Sequence, residues 1–231
     1  MNWVTNEFTY AATLNNIGCK LLEHGAFREA FETFGDALDS YRETFLRMDG
    51  SNHQARMDMA ASRVRHVNLM RSSIISILEL GDDDFASLAC ETVFGKFMMK
   101  GFRLFRGGAS TRYTDVDCAV ILYNYGLAHI MILQFGMRER KAFKDASRFM
   151  RIALSLFTKE LKTRLRRGLA ENSKDFRDLS CISKVVATNY SYIIARRGRY
   201  AEARQCYHEV EEFLDQNPHH AKEAETTAAA A

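Results

Sequence analysis

The chain has 231 residues and a formal net charge of +3, and 47% of its residues are hydrophobic, which is ordinary for a globular domain with a buried core. It contains 1 proline, Pro218, where average usage predicts roughly eleven or twelve. Because proline interrupts helices, this scarcity favours long helices and excludes collagen-like and linker-rich chains. The small net charge does not by itself indicate a nucleic-acid-binding protein.

An apolar stripe with a helical period opens the chain. Leu14, Ile17 and Leu21 recur every three or four residues and predict one buried face of a first helix. Gly25 is placed to end that helix, because it lacks a Cβ. A second helix carries the answering stripe, which consists of Phe27, Ala30, Phe34 and Ala37. We therefore predict an antiparallel helix pair over residues 11–44.

The helix pair requires a close crossing. Gly18 permits the second helix to approach the first, and we expect the small side chain of Ala30 to face it there. Residues 52–79 continue with mostly helical periodicity and predict a further helix stacked on this pair.

An aromatic insertion over residues 85–114 follows. We favour extended structure for residues 92–105, with a β-hairpin turning near Lys100–Gly101 and a helix with an irregular end as the alternative. So many phenylalanines either pack on the helices or present an apolar surface to a partner, and we favour packing on the helices.

Two further copies of the opening pattern come later. Gly198-x-Tyr200-x-Glu202-Ala203 repeats the six-residue turn that begins at Gly25, with glycine, an aromatic residue, glutamate and alanine at the same positions, and predicts a helix pair over residues 184–217. A stretched copy over residues 119–160 has 20 residues from Gly126 to Ala146, against 12 from Gly18 to Ala30. We expect a longer first helix and a longer turn around residues 134–141 to absorb the difference.

This pattern resembles the tetratricopeptide (TPR) repeat, and residues 11–16 (Ala-Ala-Thr-Leu-Asn-Asn) look like the opening of kinesin-light-chain-type repeats. The resemblance covers about half of the chain. It implies an all-α fold, a right-handed TPR-like stack of antiparallel helix pairs with a small β-hairpin insertion. We expect a single domain over residues 1–217 and a flexible tail over 218–231.

Asparagine recurs at one position of the repeat. Asn16, Asn124 and Asn189 each lie two residues before the position held by Gly18 in the first repeat. The TPR resemblance implies that these amides bind the backbone of a peptide, since an amide offers both a donor and an acceptor. The alternative is that they join neighbouring helices or meet water. The neighbours expected to line the same groove include Asn15, Cys19, Tyr123 and Tyr192.

Positive charge is concentrated in residues 138–167, which hold 11 basic and 3 acidic residues. The candidate basic patch consists of Lys159, Lys162, Arg164, Arg166 and Arg167. It is suited to attract an acidic peptide, an RNA or a membrane surface, while the alternative is a solvated helix face. No aromatic residues alternate with these charges, which disfavours stacking on single-stranded RNA.

Residues that carry chemistry form no known motif. The sequence lacks HExxH, histidine–cysteine metal spacing, GxSxG and a P-loop, so we predict no metal, no cofactor and no catalytic residue. It shows no signal peptide, no transmembrane segment and no CxxC among its 5 cysteines, so we expect reduced thiols and a cytoplasmic location, with the nucleus as the alternative.

The function that the sequence favours is a non-catalytic adaptor or scaffold subunit that binds a protein partner, as a peptide or helix, in a TPR groove. An acidic partner would suit the basic patch. The alternatives are an RNA-associated helical-repeat subunit that uses residues 138–167, and an enzyme whose site is assembled only by the fold.

Overall fold

The computed structural model describes residues 3–45, 56–65, 91–92, 95–96, 99, 101–104, 115–134, 140–167 and 174–215. These residues form seven helices, which confirms the predicted all-α class for this part of the chain. The helices are α1 (Trp3–Glu23), α2 (Phe27–Phe45), α3 (seen over 56–65), α4 (Asp115–Gln134), α5 (Arg140–Arg166), α6 (Lys174–Arg196) and α7 (Tyr200–Asp215).

The chain divides into two compact units. Unit 1 comprises Met1–Leu88 and Met99–Phe149, and so holds α1 to α4 and the beginning of α5. Unit 2 comprises Ala89–Met98 and Met150–Ala231, and so holds the rest of α5 with α6 and α7. The single domain expected over residues 1–217 stays a prediction, and the expected tail over 218–231 lies outside the described residues.

The turn between α1 and α2 is closed by two backbone hydrogen bonds that cap the end of α1. The N–H of Gly25 donates to the carbonyl of Leu22 at 3.0 Å, and the N–H of Ala26 donates to that of Leu21 at 2.9 Å. Gly25 has a φ of 72°, a left-handed conformation that glycine adopts without steric cost. This is a Schellman cap, and it satisfies carbonyls that the helix end would otherwise leave unpaired.

The turn between α6 and α7 has the same hydrogen bonds. Gly198 has a φ of 80° and donates to Ala195 at 2.8 Å, while Arg199 donates to Ile194 at 3.1 Å. The two six-residue turns that match in sequence therefore also match in local structure. Three alanines at equivalent positions after the predicted turns are all fully buried, namely Ala30, Ala146 and Ala203.

Unit 1 has a core in which α2 packs against both α1 and α4. The crossing of α1 and α2 is close because Gly18 has no side chain. A Cβ built on Gly18 would lie 2.6 Å from the ring of Phe34, which is fully buried. The three atoms nearest to this Cβ all belong to the Phe34 ring, for which the missing side chain makes room, and the expectation that Ala30 faces Gly18 stays a prediction.

Ion pairs fasten α3 to α2. The guanidinium of Arg56 makes two 2.7 Å hydrogen bonds to the carboxylate of Glu43, and Arg63 lies 2.6 Å from the carboxylate of Asp36. These side chains are at most 18% exposed, so solvent screens the pairs less than it screens surface pairs. Within the helix predicted over residues 52–79, the structure describes residues 56–65, and these are helical.

α4 is apolar around most of its circumference, as a helix buried on several sides must be. Asp115–Leu133 is long and apolar enough to cross a membrane by length and composition alone. This is weak evidence, because a core helix has the same properties, and 56% of the segment is buried in this structure. Compared with the first helix pair, α4 ends three residues later and α5 begins three residues earlier, with a connection two residues longer, which together absorb the stretched spacing.

The insertion contains two short strands, β1 (Glu91–Thr92) and β2 (Gly95–Lys96), which pair in antiparallel register. The expected hairpin turn near Lys100–Gly101 is wrong for the residues described there. Residues 101–104 pair with no strand, because the backbone groups of Phe102 and Leu104 bond to side chains of α1 and α4 instead.

Replacing Gly25 with alanine tests the cap. Because a side chain disfavours the left-handed conformation by roughly 1–2 kcal/mol, we expect Gly25→Ala to lower the free energy of unfolding by about 1 kcal/mol, measured by urea denaturation. Gly35→Ala is the matched control, since Gly35 lies within α2 and its Cβ would meet Tyr125 at an ordinary 3.7 Å. That control should be neutral or slightly stabilising, and equal losses in both variants would contradict the assignment of the cap.

Candidate peptide-binding groove

Asn16 on α1 binds the backbone of one residue twice. Its Oδ1 accepts from the N–H of Leu104 at 2.7 Å, and its Nδ2 donates to the carbonyl of Leu104 at 2.8 Å. The pairing fixes the orientation of the amide, since a flipped side chain would set oxygen against oxygen and nitrogen against nitrogen. Asn16 therefore acts on Leu104 as the neighbouring strand of an antiparallel sheet would.

Asn124 on α4 repeats the arrangement two residues earlier in the bound segment. Its Oδ1 accepts from the N–H of Phe102 at 2.8 Å, and its Nδ2 donates to the carbonyl of Phe102 at 2.7 Å. Bonding at alternate residues, both on one side of the chain, is typical of an extended backbone. We call residues 101–104 the inner segment.

Asn15 completes what we call the amide cluster, which consists of Asn15, Asn16 and Asn124. Its Nδ2 donates to the carbonyl of Phe102 at 3.0 Å, and its Oδ1 accepts from Asn124 at 2.8 Å. Asn15 and Asn124 are fully buried. A buried amide without partners would cost about 1–3 kcal/mol, so the burial of this cluster depends on the backbone that it binds.

The side chains of the inner segment are held differently from its backbone. The ring of Phe102 lies 5.0 Å from the ring of Tyr123, measured between centroids, and Leu104 packs against the buried cluster that includes Leu14 and Ile121. Arg103 points outward and lies 2.6 Å from the carboxylate of Glu23. The groove therefore holds two apolar side chains and leaves the residue between them at the surface.

Cys19 lies beneath the beginning of the inner segment. A Cβ on Gly101 would lie 3.0 Å from the sulfur of Cys19, and that thiol lies 3.4 Å from the carbonyl of Phe102. Burial, with a smaller contribution from the charge of Glu23, raises the pKa of Cys19 to about 12, although the charge of Arg103 opposes the shift. The thiol therefore stays protonated and is not a nucleophile at neutral pH.

Five of the seven residues predicted for the peptide groove come together here, namely Asn15, Asn16, Cys19, Asn124 and Tyr123. The other two, Asn189 and Tyr192, lie on α6 in unit 2. There Asn189 is fully buried, and the ring of Tyr192 has the guanidinium of Arg196 5.9 Å from its centroid. Their part in binding a peptide stays a prediction.

The inner segment is the part of the groove that sequence reasoning missed. Gly101-Phe102-Arg103-Leu104 does alternate apolar and charged residues after a glycine, which is typical of an extended segment with one buried face. Nothing in that pattern identifies asparagines 87 and 88 residues earlier as its hydrogen-bond partners.

The predicted basic patch lies on α5 and at its end. Leu161 is buried beneath it, while the guanidinium of Arg164 lies 2.9 Å from Glu160 and the ammonium of Lys162 lies 5.8 Å from the centroid of the Phe213 ring. Arg166, Arg167 and Lys159 are exposed. Part of the positive charge is thus engaged within unit 2, and a role of this patch in binding stays a prediction.

Unit 2 contains a groove of about 400 Å³ between α5 and α7, lined by residues of both charges such as Arg151, Lys162, Glu202 and Glu209. Within the described residues, no three histidine, cysteine, aspartate or glutamate side chains are grouped so that they could hold a metal ion.

Compared with known proteins, the chain matches no family model, no curated protein and no solved structure.

Removing the buried amide of α4 tests the hydrogen bonding of the groove. We expect Asn124→Ala to lower the free energy of unfolding by at least about 2 kcal/mol, because it leaves the N–H of Phe102 and the Oδ1 of Asn15 without their partner and removes one of the donors to the Phe102 carbonyl. Asn16→Ala serves as the comparison and should cost less, since Asn16 is only half-buried. Equal urea midpoints for Asn124→Ala and the unsubstituted chain would contradict this account.

The reactivity of Cys19 is a second test. A pKa of about 12 leaves roughly a thousandfold less thiolate at pH 8 than an ordinary thiol has, so iodoacetamide should modify Cys19 in the folded chain at least a hundredfold more slowly than in urea. Because folding raises the pKa of Cys19, the protonated thiol contributes to the free energy of unfolding below pH 9, and this contribution is lost as the pH rises towards 12. Peptide mapping by mass spectrometry reads out the rate, and equal rates in folded and unfolded chain would refute the burial.

Proposed function

We propose that the protein is a non-catalytic interaction module whose groove in unit 1 binds an extended segment of a protein partner through the amide cluster. The observation that carries the proposal is the pair of reciprocal bonds that Asn16 and Asn124 make to the backbone of alternate residues. Two amides spaced in this way act on an extended chain as the edge of a sheet does, but from the surface of helices.

The proposal includes the TPR-like arrangement, a right-handed stack of antiparallel helix pairs. Three observations support it: the matching Schellman caps at Gly25 and Gly198, the buried alanine after each predicted turn, and the close crossing at Gly18. In such a stack the first helix of each pair lines the groove, and both Asn16 and Asn124 lie on helices predicted to be first.

Recognition by amides has a consequence for the partner. The bonds that Asn16 and Asn124 make to the inner segment all go to its backbone groups, which every non-proline residue offers. The amide cluster therefore selects an extended conformation, while the surfaces around Tyr123 and Leu14 select the side chains. An adaptor or scaffold subunit is the role that such a groove serves best, because its contacts hold the backbone and two apolar side chains of an extended segment.

Affinity purification from the source cells tests the proposal. The full chain would be compared with Asn16→Ala/Asn124→Ala and with Lys20→Ala, a control at an exposed residue of the same helix. We expect the double variant to recover at least tenfold less of each specific partner, and the control to recover the same amount, as quantified by mass spectrometry. An unchanged set of partners in the double variant would show that the groove does not bind them.

The double variant must be folded for this comparison to be valid, which circular dichroism establishes. Should it unfold, Asn16→Ala alone decides, because Asn16 is half-buried and its loss leaves Asn15 and Asn124 paired with each other. Asn189→Ala, measured in parallel, tests separately whether the predicted repeat position in unit 2 contributes to binding.

A further inference from the structure

The groove of unit 1 is occupied by the chain's own backbone. We propose that the inner segment is an internal ligand, and that a partner binds by displacing it with a segment of the same pattern: glycine, an aromatic residue, an exposed residue and an aliphatic residue. This inference rests on the proposed function, since it names the partner's sequence class and the competitor that regulates access to the groove.

The first position favours glycine for steric reasons. A Cβ on Gly101 would lie 3.0 Å from the sulfur of Cys19, 3.3 Å from the Oδ1 of Asn124 and 3.4 Å from a methyl of Leu22. These contacts are tight, so a side chain here would require its neighbours on α1 and α4 to shift by a few tenths of an ångström. A partner with a larger residue at this position should therefore bind less tightly than one with glycine.

The other positions differ in how closely they are read. The second places its ring against Tyr123, and the fourth packs on the buried cluster that includes Leu14, so both require apolar side chains of substantial size. The third meets Glu23 at the surface, where an ion pair contributes little, so a basic residue is favoured there without being required.

Displacement is feasible because the exchange conserves the interactions. Each hydrogen bond from Asn16 and Asn124 to the inner segment goes to backbone atoms, so an incoming chain of the same pattern makes the same bonds. The internal segment has the advantage of tethering, which gives it a high effective concentration. The apparent affinity for a partner is then reduced by the fraction of molecules in which the groove is open.

A reversible disulfide between the inner segment and Cys19, which we call the clamp, tests directly whether the segment competes with a partner. The 3.0 Å between the sulfur of Cys19 and a Cβ on Gly101 equals the roughly 3 Å between a Cβ and the partner sulfur in a disulfide. Gly101→Cys should therefore form a disulfide with Cys19 when the chain is refolded from urea with glutathione disulfide, because the Cys19 thiol can then react before burial raises its pKa, and this bond locks the inner segment in place. Gly101→Ser is the matched control, since serine has nearly the same shape and cannot form the bond.

The probe is a fluorescein-labelled octapeptide, Ser-Ser-Gly-Tyr-Lys-Ile-Ser-Ser, and its control has serine in place of tyrosine and isoleucine. In fluorescence anisotropy we expect the full-length Gly101→Cys chain to lose binding on oxidation, at least tenfold, and to regain it on reduction. Gly101→Ser should bind equally under both conditions, and the control peptide should not bind. Mass spectrometry verifies which thiols have paired.

Weakening the internal ligand should have the opposite effect. Phe102→Ser/Leu104→Ser keeps the amide cluster, so we expect it to bind the probe at least tenfold more tightly than the unsubstituted chain. Probe binding that is insensitive to oxidation of Gly101→Cys would overturn the proposal, as would a folded double variant with no gain. If the double variant does not fold, the clamp alone decides, because its oxidised form keeps the native arrangement.

Failure of this inference is distinguishable from failure of the proposed function. If Asn16→Ala/Asn124→Ala loses its partners while the oxidised clamp retains them, the groove binds partners but the inner segment does not compete. If the asparagine substitutions leave the partners unchanged, the proposed function itself is wrong, whatever the probe does.

Discussion

Unit 1 depends on one constraint: a backbone buried outside a helix must find partners for its N–H and carbonyl groups. Within the described residues the inner segment pairs with no strand, and asparagine side chains on α1 and α4 supply those partners. Asparagine is suited to this task because one planar group carries a donor and an acceptor at the spacing of a peptide unit. The close approach of this backbone to α1 and α4 also explains why glycine is favoured at residue 101, where a Cβ would be crowded.

Recognition by neutral amides also separates this groove from one built on charges. Beside the amide cluster, burial raises the pKa of Cys19 to about 12, and Arg103 and Glu23 form an exposed ion pair. None of the amides titrates, so the bonds to the backbone persist across the physiological pH range. Salt has little effect on such bonds, in contrast to phosphate or carboxylate recognition.

The sequence predicted the parts of this structure that local patterns encode. The apolar stripe of α1, the glycine caps and the placement of Asn16 and Asn124 on one face all follow from periodicity and from what glycine permits. The docking of the inner segment in the groove could not be predicted, because its hydrogen bonds join residues 88 positions apart. Short aromatic runs are also ambiguous between strand, turn and coil. The contact of the Phe34 ring with Gly18 was not predicted for a related reason: the reach of a phenylalanine ring depends on its rotamer, which spacing does not specify.

The long sequence separation of these contacts has a consequence for how the chain folds. Helix pairs such as α1 and α2 form from local contacts and assemble quickly, whereas Asn15 and Asn124 are 109 residues apart. The inner segment bonds to both α1 and α4, so its site does not exist until those helices have met. We therefore expect it to be the last element to dock during folding, and its detachment to be a low-energy opening that leaves the helices assembled.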